Sequence, residues 1–198
     1  MARHDVTGVL LVGGASRRFG SPKALARLGS ETLAERAYRT LGESFEHVVA
    51  VGKTADALQL PFPVLDDGSE LRAPIVGVAA GLRLTEAEIC VFLPTDMPWM
   101  TAGLLLELAS AADGVDAAVP QTGPLPGAYR QTALAVLERR IAAGDLALHR
   151  ALAELETRVV HAPAEPLHNV NVPGDLGANR PDRGSQDHPK PGGARGHS

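Results

Sequence analysis

Short apolar runs alternate along this chain with longer segments that have helical periodicity. The apolar runs are VTGVLLVGG (6–14), HVVAVG (47–52), FPVLDD (62–67), EICVFLPTD (88–96), VDAAVPQ (115–121) and RVVHAP (158–163). They are rich in Val, Leu and Ile without strict alternation, which is typical of strands buried on both faces. The segments predicted to be helical are 31–42, 75–85, 101–112, 131–144 and 147–155.

Residues that favour helix ends mark two of these helices. Thr32 and Glu35 have the spacing of a capping box, in which each side chain accepts a hydrogen bond from the other residue's backbone. Gly42 stands where a glycine commonly ends a helix, and Thr101 is placed to cap the helix that follows it.

The alternation of strands and helices predicts an α/β fold: a single Rossmann-like domain of three α/β/α layers with a mainly parallel sheet. In such sheets, ligands bind beyond the carboxyl ends of the strands. The polar residues that follow strands therefore carry the functional prediction, and they are the 13–23 loop, Asp66–Asp67 and Thr95–Asp96.

The amino-acid composition indicates the extent of the folded domain and the cellular compartment. Residues 1–176 suit one domain, whereas 177–198 are rich in Gly and Pro and predict a disordered tail. The single cysteine, Cys90, excludes an internal disulfide, and no stretch approaches the roughly 20 apolar residues of a membrane span. We therefore expect a cytoplasmic protein without membrane contact. The net charge of −4 argues against nucleic-acid binding, yet leaves room for a local cationic pocket.

The segment from Leu11 to Leu25 reads L-x-G-G-x-S-x-R-x-G-x-x-K-x-L. Its glycines, Gly13, Gly14 and Gly20, allow backbone N–H groups to approach phosphate oxygens, and Ser16 adds a hydroxyl. Its cations, Arg17, Arg18 and Lys23, are suited to neutralising a triphosphate. Neither a Walker loop nor a dinucleotide fingerprint is present. The alternative is a solvated strand-to-helix turn.

Asp96 follows a buried strand in VFLPTDMPWM. A triphosphate is normally bound with Mg²⁺, which prefers one or two carboxylates together with phosphate oxygens and water. Asp96 is therefore the predicted Mg²⁺ ligand, in preference to a helix cap, because Thr101 is better placed to cap. Asp175 is a candidate second ligand or, equally, the cap of a short C-terminal helix.

Four motifs together resemble those of the molybdenum cofactor guanylyltransferases. They are the loop at 11–25, PTDMP at 94–98, GPLPGAYR at 123–130 and NVNVPGDL at 169–176, and they span nearly the whole predicted domain. The resemblance implies a fold of the nucleotide-diphospho-sugar transferase type. It also implies that a terminal phosphate of molybdopterin attacks the α-phosphorus of GTP and that pyrophosphate leaves. The alternatives are transfer from CTP or to another phosphorylated acceptor, and a nucleotide carrier without catalysis.

The resemblance also implies roles for individual residues. Leu11, Gly13, Gly14, Ser16 and Gly20 would shape the phosphate-binding loop, and Arg17 and Lys23 would hold the phosphates and stabilise the leaving pyrophosphate. Asp96 would hold Mg²⁺, and either Asp66 or Asp67 would contact the guanine or the ribose. On the pterin side the residues would be Asn169, Asn171 and, less directly, Tyr129 and Arg130, which are equally compatible with an edge strand bearing a solvated arginine.

Other implications concern partners and departures from the family pattern. We expect transient contact with proteins that supply or receive the cofactor. Pro22 stands where the family often has Asp, a change that bears on the placement of Lys23. Ala73 and Ile75 break a Gly-Pro-Leu segment near the nucleotide, and Val172 replaces a threonine near the pterin.

Overall fold

The computed structural model describes residues 5–13, 22–172, 174 and 175. The strands in this part of the chain are β1 (Val6–Val12), β2 (Arg27–Leu28), β3 (Glu31–Thr32), β4 (His47–Gly52), β5 (Val64–Asp66), β6 (Ile89–Pro94), β7 (Ala117–Pro120), β8 (Gly127–Arg130) and β9 (Thr157–Val160). The α-helices are α1 (Leu33–Gly42), α2 (Pro74–Leu84), α3 (Ala102–Ala111), α4 (Leu134–Ala142) and α5 (Leu148–Ala151).

Seven strands form the main sheet in the order β5-β4-β1-β6-β8-β7-β9. Neighbouring strands are parallel except at β8, which runs antiparallel to both β6 and β7. The prediction of a mainly parallel sheet is therefore confirmed. The chain moves outward from β1 to β4 and β5, then returns through α2 to β6 on the other side of β1. This reversal opens a crevice at the carboxyl ends of the central strands.

Two apolar clusters cover the two faces of the sheet, which confirms the three-layer prediction. Alternate residues of β1 point into different clusters, Leu10 into one and Val9 into the other. The Leu10 cluster includes buried residues of α1 and α3, and the Val9 cluster includes those of α2, α4 and α5. Both faces are therefore shielded from water, which explains the continuous apolar runs in the strands.

The predicted helix caps are largely confirmed. The Thr32 hydroxyl accepts from the Glu35 N–H at 3.1 Å, and the Glu35 carboxylate accepts from the Thr32 N–H at 2.7 Å. The Thr101 hydroxyl accepts from the Leu104 N–H at 3.3 Å. The prediction for Gly42 is wrong in detail, because Gly42 is the last helical residue of α1 and Glu43 caps it in a right-handed conformation.

Two elements differ from the sequence prediction. The short hairpin of β2 and β3 was not expected, and β8 lies inside the sheet between β6 and β7 rather than at an edge. Within the described part of the chain, no helix has both the length and the apolar character needed to cross a membrane.

Candidate active site

The carboxyl ends of β1, β4 and β6, together with the start of α2, border one cleft of about 280 Å³. The backbones of Val12 and Gly52 form part of the floor of this cleft. Position 52 requires glycine, because a Cβ there would lie 2.1 Å from the Val12 carbonyl oxygen. Gly13 follows β1 with a φ of 144°, a conformation that favours glycine. On the α2 side, a Cβ on Gly77 would lie 3.0 Å from Leu11 Cδ2, so this wall is also close-packed.

Lys23 begins a single 3₁₀ turn, Lys23–Leu25. The turn is held by the Leu25 N–H, which donates to the Pro22 carbonyl at 2.9 Å, and by Ala24, which is buried in the core. The turn therefore fixes the direction of the lysine side chain. Pro22, the departure from the family pattern, starts this turn and does not prevent Lys23 from reaching the end of β6.

Lys23 lies beside Asp96, which lines the cleft, with Lys23 Nζ 3.3 Å from Asp96 Oδ2. The two side chains are 18% and 26% exposed, respectively. The distance exceeds the 2.7–2.9 Å typical of a tight charge-assisted hydrogen bond. The pair is therefore loose and partly open to water, an arrangement that a charged ligand is able to enter.

A second, tighter ion pair lies deeper in the same cleft. Lys53 Nζ lies 2.6 Å from Asp67 Oδ1, and the two side chains are 11% and 8% exposed. Lys53 also donates to the Ser69 carbonyl, and the Ser69 N–H donates to Asp67 Oδ1 at 3.0 Å. Lys53 follows β4 and Asp67 follows β5, so the adjacent strand ends bring these charges together.

Of the two aspartates predicted near the nucleotide, Asp67 lines the cleft, whereas Asp66, the last residue of β5, does not. The Asp66 carboxylate accepts from the Thr54 N–H at 2.9 Å and the Gly68 N–H at 2.8 Å. Hydrogen bonds from the Thr54 hydroxyl and backbone and from Gly68 lower the pKa of Asp66 to about 2. Asp66 therefore stabilises the loops after β4 and β5.

The segment that carries Asn169 and Asn171 lies beside Asp96. The buried Val170 between them donates its N–H to the Asp96 carbonyl at 2.8 Å, and both asparagines are exposed. Asp175 closes the turn that follows, because its Oδ2 accepts from the N–H groups of Asn171 and Val172 at 2.7 and 3.0 Å. The hydrogen bond from the Asn171 backbone is the main cause that lowers the pKa of Asp175.

Tyr129 and Arg130 lie away from this cleft, so their prediction as pterin-side residues needs correction. The Tyr129 side chain is fully buried, and its hydroxyl donates to the Pro124 carbonyl at 2.7 Å. Arg130 is paired in register with Ile89, the first residue of β6, and forms an ion pair with Glu88. It therefore lies at the end of β6 opposite to Asp96.

The other predicted site residues divide into two groups. Leu11 and Gly13 line the cleft, and their contact with the nucleotide stays a prediction. Gly14, Ser16, Arg17, Arg18 and Gly20 lie outside the described residues, as does the predicted tail, 177–198.

Lys53 and Arg72 also line the cleft, although neither was predicted from the sequence. A signal for Lys53 was present, because it directly follows the strand HVVAVG, in the same way that Asp96 follows its own strand. Arg72 carries no comparable signal. It precedes α2 in a loop, where it forms a bidentate pair with Asp56 at 3.1 and 2.7 Å.

The donor set around Asp96 fits a hard cation that completes its coordination with phosphate and water. Among the described residues, no three His, Cys, Asp or Glu side chains form a cluster that would enclose a metal ion. One accessible carboxylate is the amount of protein ligation that Mg²⁺ commonly uses beside a nucleotide.

The fold and the cleft with its lysine–aspartate pair are those of a nucleotidyltransferase. The chain belongs to the family of the MobA-like NTP transferase domain, whose model matches residues 8–160.

Individual relatives agree with this assignment. A probable molybdenum cofactor guanylyltransferase from Chloroflexus aggregans is 33% identical, over 86% of this chain and 91% of the relative. One from Mycobacterium marinum is 32% identical, over 88% of this chain and 92% of the relative. The crystal structure of molybdopterin-guanine dinucleotide biosynthesis protein A from Archaeoglobus fulgidus superposes with a TM-score of 0.76 at 26% identity, covering 86% of this chain and 95% of that one.

Proposed function

We propose that this protein transfers GMP from GTP to the terminal phosphate of molybdopterin in the molybdenum cofactor. A phosphate oxygen of the acceptor forms a bond to the α-phosphorus of GTP, and the bond from that phosphorus to the bridging oxygen of the β-phosphate breaks. Pyrophosphate carries away the electron pair, and molybdopterin guanine dinucleotide results. The relatives named as molybdenum cofactor guanylyltransferases support this choice of reaction.

The observation that carries the proposal is the 3.3 Å approach of Lys23 Nζ to Asp96 Oδ2. A cation and a carboxylate from distant parts of the chain meet at the carboxyl edge of the sheet, where a triphosphate would bind. The pair is loose, so incoming phosphates are able to draw Lys23 away from Asp96. Phosphoryl transfer requires mainly positioning and charge stabilisation, which these two groups supply.

Each residue then has a defined task. Lys23 donates to the β- and γ-phosphates and stabilises the pyrophosphate as it leaves. Gly13 allows close approach of the phosphates to the loop after β1. Asp96 would hold Mg²⁺, which would supply positive charge to the reacting phosphates. Gly14, Ser16, Arg17 and Gly20 complete the loop in this proposal.

The acceptor would approach from the side of Asn169 and Asn171. Their exposed amides lie on a segment that is hydrogen-bonded to the Asp96 carbonyl through Val170. An acceptor phosphate held there would lie close to the carboxylate that holds the metal. Cytoplasmic localisation and transient contact with cofactor-supplying or cofactor-receiving proteins stay predictions.

Initial rates of pyrophosphate release test the reaction directly. The protein is incubated with molybdopterin and Mg²⁺ together with GTP, CTP or UTP, and the product is identified by mass spectrometry. We expect release with GTP that depends on the acceptor and yields the guanine dinucleotide. Faster release with CTP would instead support cytidylyl transfer, and release that does not depend on molybdopterin would contradict the proposed acceptor.

A further inference from the structure

We propose that Lys23 keeps free divalent ions off Asp96 until the phosphates of a nucleotide draw the lysine away, so that metal and nucleotide are taken up together. This inference rests on the proposed function, because it assumes that Asp96 is the metal ligand and that Lys23 contacts the phosphates. It adds an order of binding to that function and assigns Lys23 a task before the chemistry begins.

The fold places Lys23 beside Asp96. Lys23 begins the 3₁₀ turn Lys23–Leu25, and the next residue, Ala24, is buried. Ala24 belongs to the same apolar cluster as Met97, which directly follows Asp96 in the chain. The turn that carries the ammonium and the segment that carries the carboxylate are therefore anchored in one core. This shared anchor keeps the two charged groups within reach of each other, at 3.3 Å.

The Lys23 ammonium opposes the charge that attracts a metal ion. Mg²⁺ prefers carboxylate oxygens, whereas a lysine ammonium is a compact positive charge that only donates hydrogen bonds. A divalent ion bound to either oxygen of Asp96 would lie close to that positive charge. Both side chains are largely shielded from water, so the repulsion is stronger than it would be at an open surface. A free ion is therefore disfavoured at Asp96.

The neighbouring acid does not restore the attraction. The hydrogen bond from the Asn171 backbone is the main cause that lowers the pKa of Asp175, and the charge of Lys23 contributes to the same shift. The field of the lysine therefore reaches Asp175 as well as Asp96. In the described part of the chain, no group of three His, Cys, Asp or Glu side chains is placed to hold a metal ion. A free ion at this site would therefore depend on Asp96, which is already paired with Lys23.

A triphosphate reverses this balance. Its oxygens accept hydrogen bonds from Lys23 and also coordinate the metal ion, so one ligand removes the competing charge and completes the metal site. The distance of 3.3 Å between Lys23 Nζ and Asp96 Oδ2 is longer than in a tight ion pair, so the lysine leaves without breaking a strong hydrogen bond. Since both ligands favour the same arrangement, metal and nucleotide strengthen each other's binding.

Manganese binding to the full-length protein, without nucleotide, tests the lysine. Mn²⁺ stands in for Mg²⁺ because electron paramagnetic resonance measures the free ion directly. We expect weak binding to the unaltered protein and at least about tenfold tighter binding to Lys23→Met, which keeps most of the side-chain volume and removes the charge. The matched variant Lys23→Arg keeps the charge and should bind Mn²⁺ as weakly as the unaltered protein. Equal affinity in the unaltered protein and Lys23→Met would overturn the proposal.

A double variant shows where the additional Mn²⁺ binds. In Lys23→Met/Asp96→Asn we expect the gain in Mn²⁺ affinity to disappear, whereas tight binding in this variant would place the ion elsewhere and contradict the proposal. Circular dichroism compares the folding of each variant with that of the unaltered protein. Lys23→Gln, a second neutral substitution, should show the same gain as Lys23→Met and provides the test if Lys23→Met does not fold.

Metal-free GTP tests the second half of the proposal. In EDTA, Asp96 and the phosphates compete for Lys23, so Asp96→Asn should bind GTP at least about threefold more tightly than the unaltered protein. In the Lys23→Met background the same substitution should give a smaller gain, because no ammonium remains to be released. Calorimetry measures both pairs. An equal gain in the two backgrounds would mean that Asp96 merely repels the phosphates, and would contradict the proposal.

The manganese measurements use neither GTP nor molybdopterin, so the two ideas fail separately. GMP transfer by the unaltered protein together with unchanged Mn²⁺ affinity in Lys23→Met would remove only this inference. Tighter Mn²⁺ binding in Lys23→Met without GMP transfer by the unaltered protein would remove only the proposed function.

Discussion

The two halves of the sheet use ion pairs in different ways. In the half formed by β5, β4, β1 and β6, the ion pairs Lys23–Asp96 and Lys53–Asp67 lie at the carboxyl ends of the strands, where Asp96, Lys53 and Asp67 line one cleft. In the half formed by β8, β7 and β9, Arg130 pairs with Glu88 at the amino end of β6. Strand β8 runs antiparallel, so its last residue lies at the edge of the sheet away from the cleft.

The helices of the second half show the same contrast. Arg140 of α4 pairs with Asp145 and Glu154, which joins α4 to the segment around α5. The Arg140 side chain is 14% exposed, so these ion pairs lie partly beneath the surface and connect neighbouring elements. The same residue types therefore lie at the cleft in one half and connect secondary-structure elements in the other, and position relative to the strand ends makes the difference.

The largest expected effect comes from comparing the two ends of β6. Asp96→Asn should lower the rate of GMP transfer at least about a hundredfold, because the metal-holding charge is lost where charge develops. GTP affinity should stay within about tenfold, since this charge serves mainly the transition state. Single-turnover pyrophosphate release and calorimetry measure the two effects. The matched variant Glu88→Gln, at the other end of the strand, should leave the rate unchanged. An unchanged rate in Asp96→Asn would remove Asp96 from catalysis.

A smaller effect is expected for the other partner of the loose pair. Lys23→Ala should lower kcat/KM by about tenfold to a hundredfold and weaken GTP binding, because one charge-assisted contact to the phosphates is lost. Lys23→Arg should recover part of this loss, since it restores the charge with a different geometry. Full activity in Lys23→Ala would mean that the phosphates are held elsewhere.

In the second half we expect an effect on stability alone. Tyr129→Phe removes a buried hydrogen bond to the Pro124 carbonyl, and should lower the free energy of unfolding by about 1 kcal/mol. The ring itself stays packed against Phe92, 5.7 Å away between centroids. Urea unfolding measures the change, and the transfer rate serves as the control. A slower rate at unchanged stability would return Tyr129 to the acceptor site.

The smallest effect concerns the rim of the cleft. Asp66 has a pKa of about 2 in the folded protein, below its ordinary value of 3.8, so it stabilises the fold above about pH 4. This contribution is lost as the pH falls from about 4 towards 2. Asp66→Asn, which does not titrate and keeps one acceptor oxygen for the hydrogen bonds from Thr54 and Gly68, should therefore show a shallower fall in Tm over that interval. Parallel curves for the two proteins would contradict the assignment.

The fold is predictable from the sequence where local signals and the burial pattern indicate the same element. Apolar runs at β1, β4 and β6 and the capping pair Thr32–Glu35 gave the correct elements. Strand β8 was harder, since only four residues form it and Tyr129 and Arg130 carry polar groups. Its central position depends on pairing with strands distant in sequence, which the local pattern does not encode.

The positions of candidate site residues were easiest to predict where they follow strong strands. Asp96 and Asp67 lie at the cleft, at the ends of β6 and β5, and Lys23 lies 3.3 Å from Asp96, whereas their roles stay predictions. The sequence alone did not show which of Asp66 and Asp67 lines the cleft. Successive side chains at the end of a strand point to opposite faces, and only the structure shows which face borders the cleft. Lys53 was missed for a similar reason: its importance comes from its partner 14 residues away.

The glycine floor of the cleft limits how this enzyme is able to change its nucleotide. Any side chain at Gly52 would collide with the Val12 backbone, which has nowhere to move within a paired strand. At Gly77 an added methyl group meets only the mobile end of Leu11, at 3.0 Å. Substitution at Gly52 is therefore not a way to change the depth of the cleft. A small side chain at Gly77 would instead narrow the cleft, provided that the Leu11 side chain moves aside.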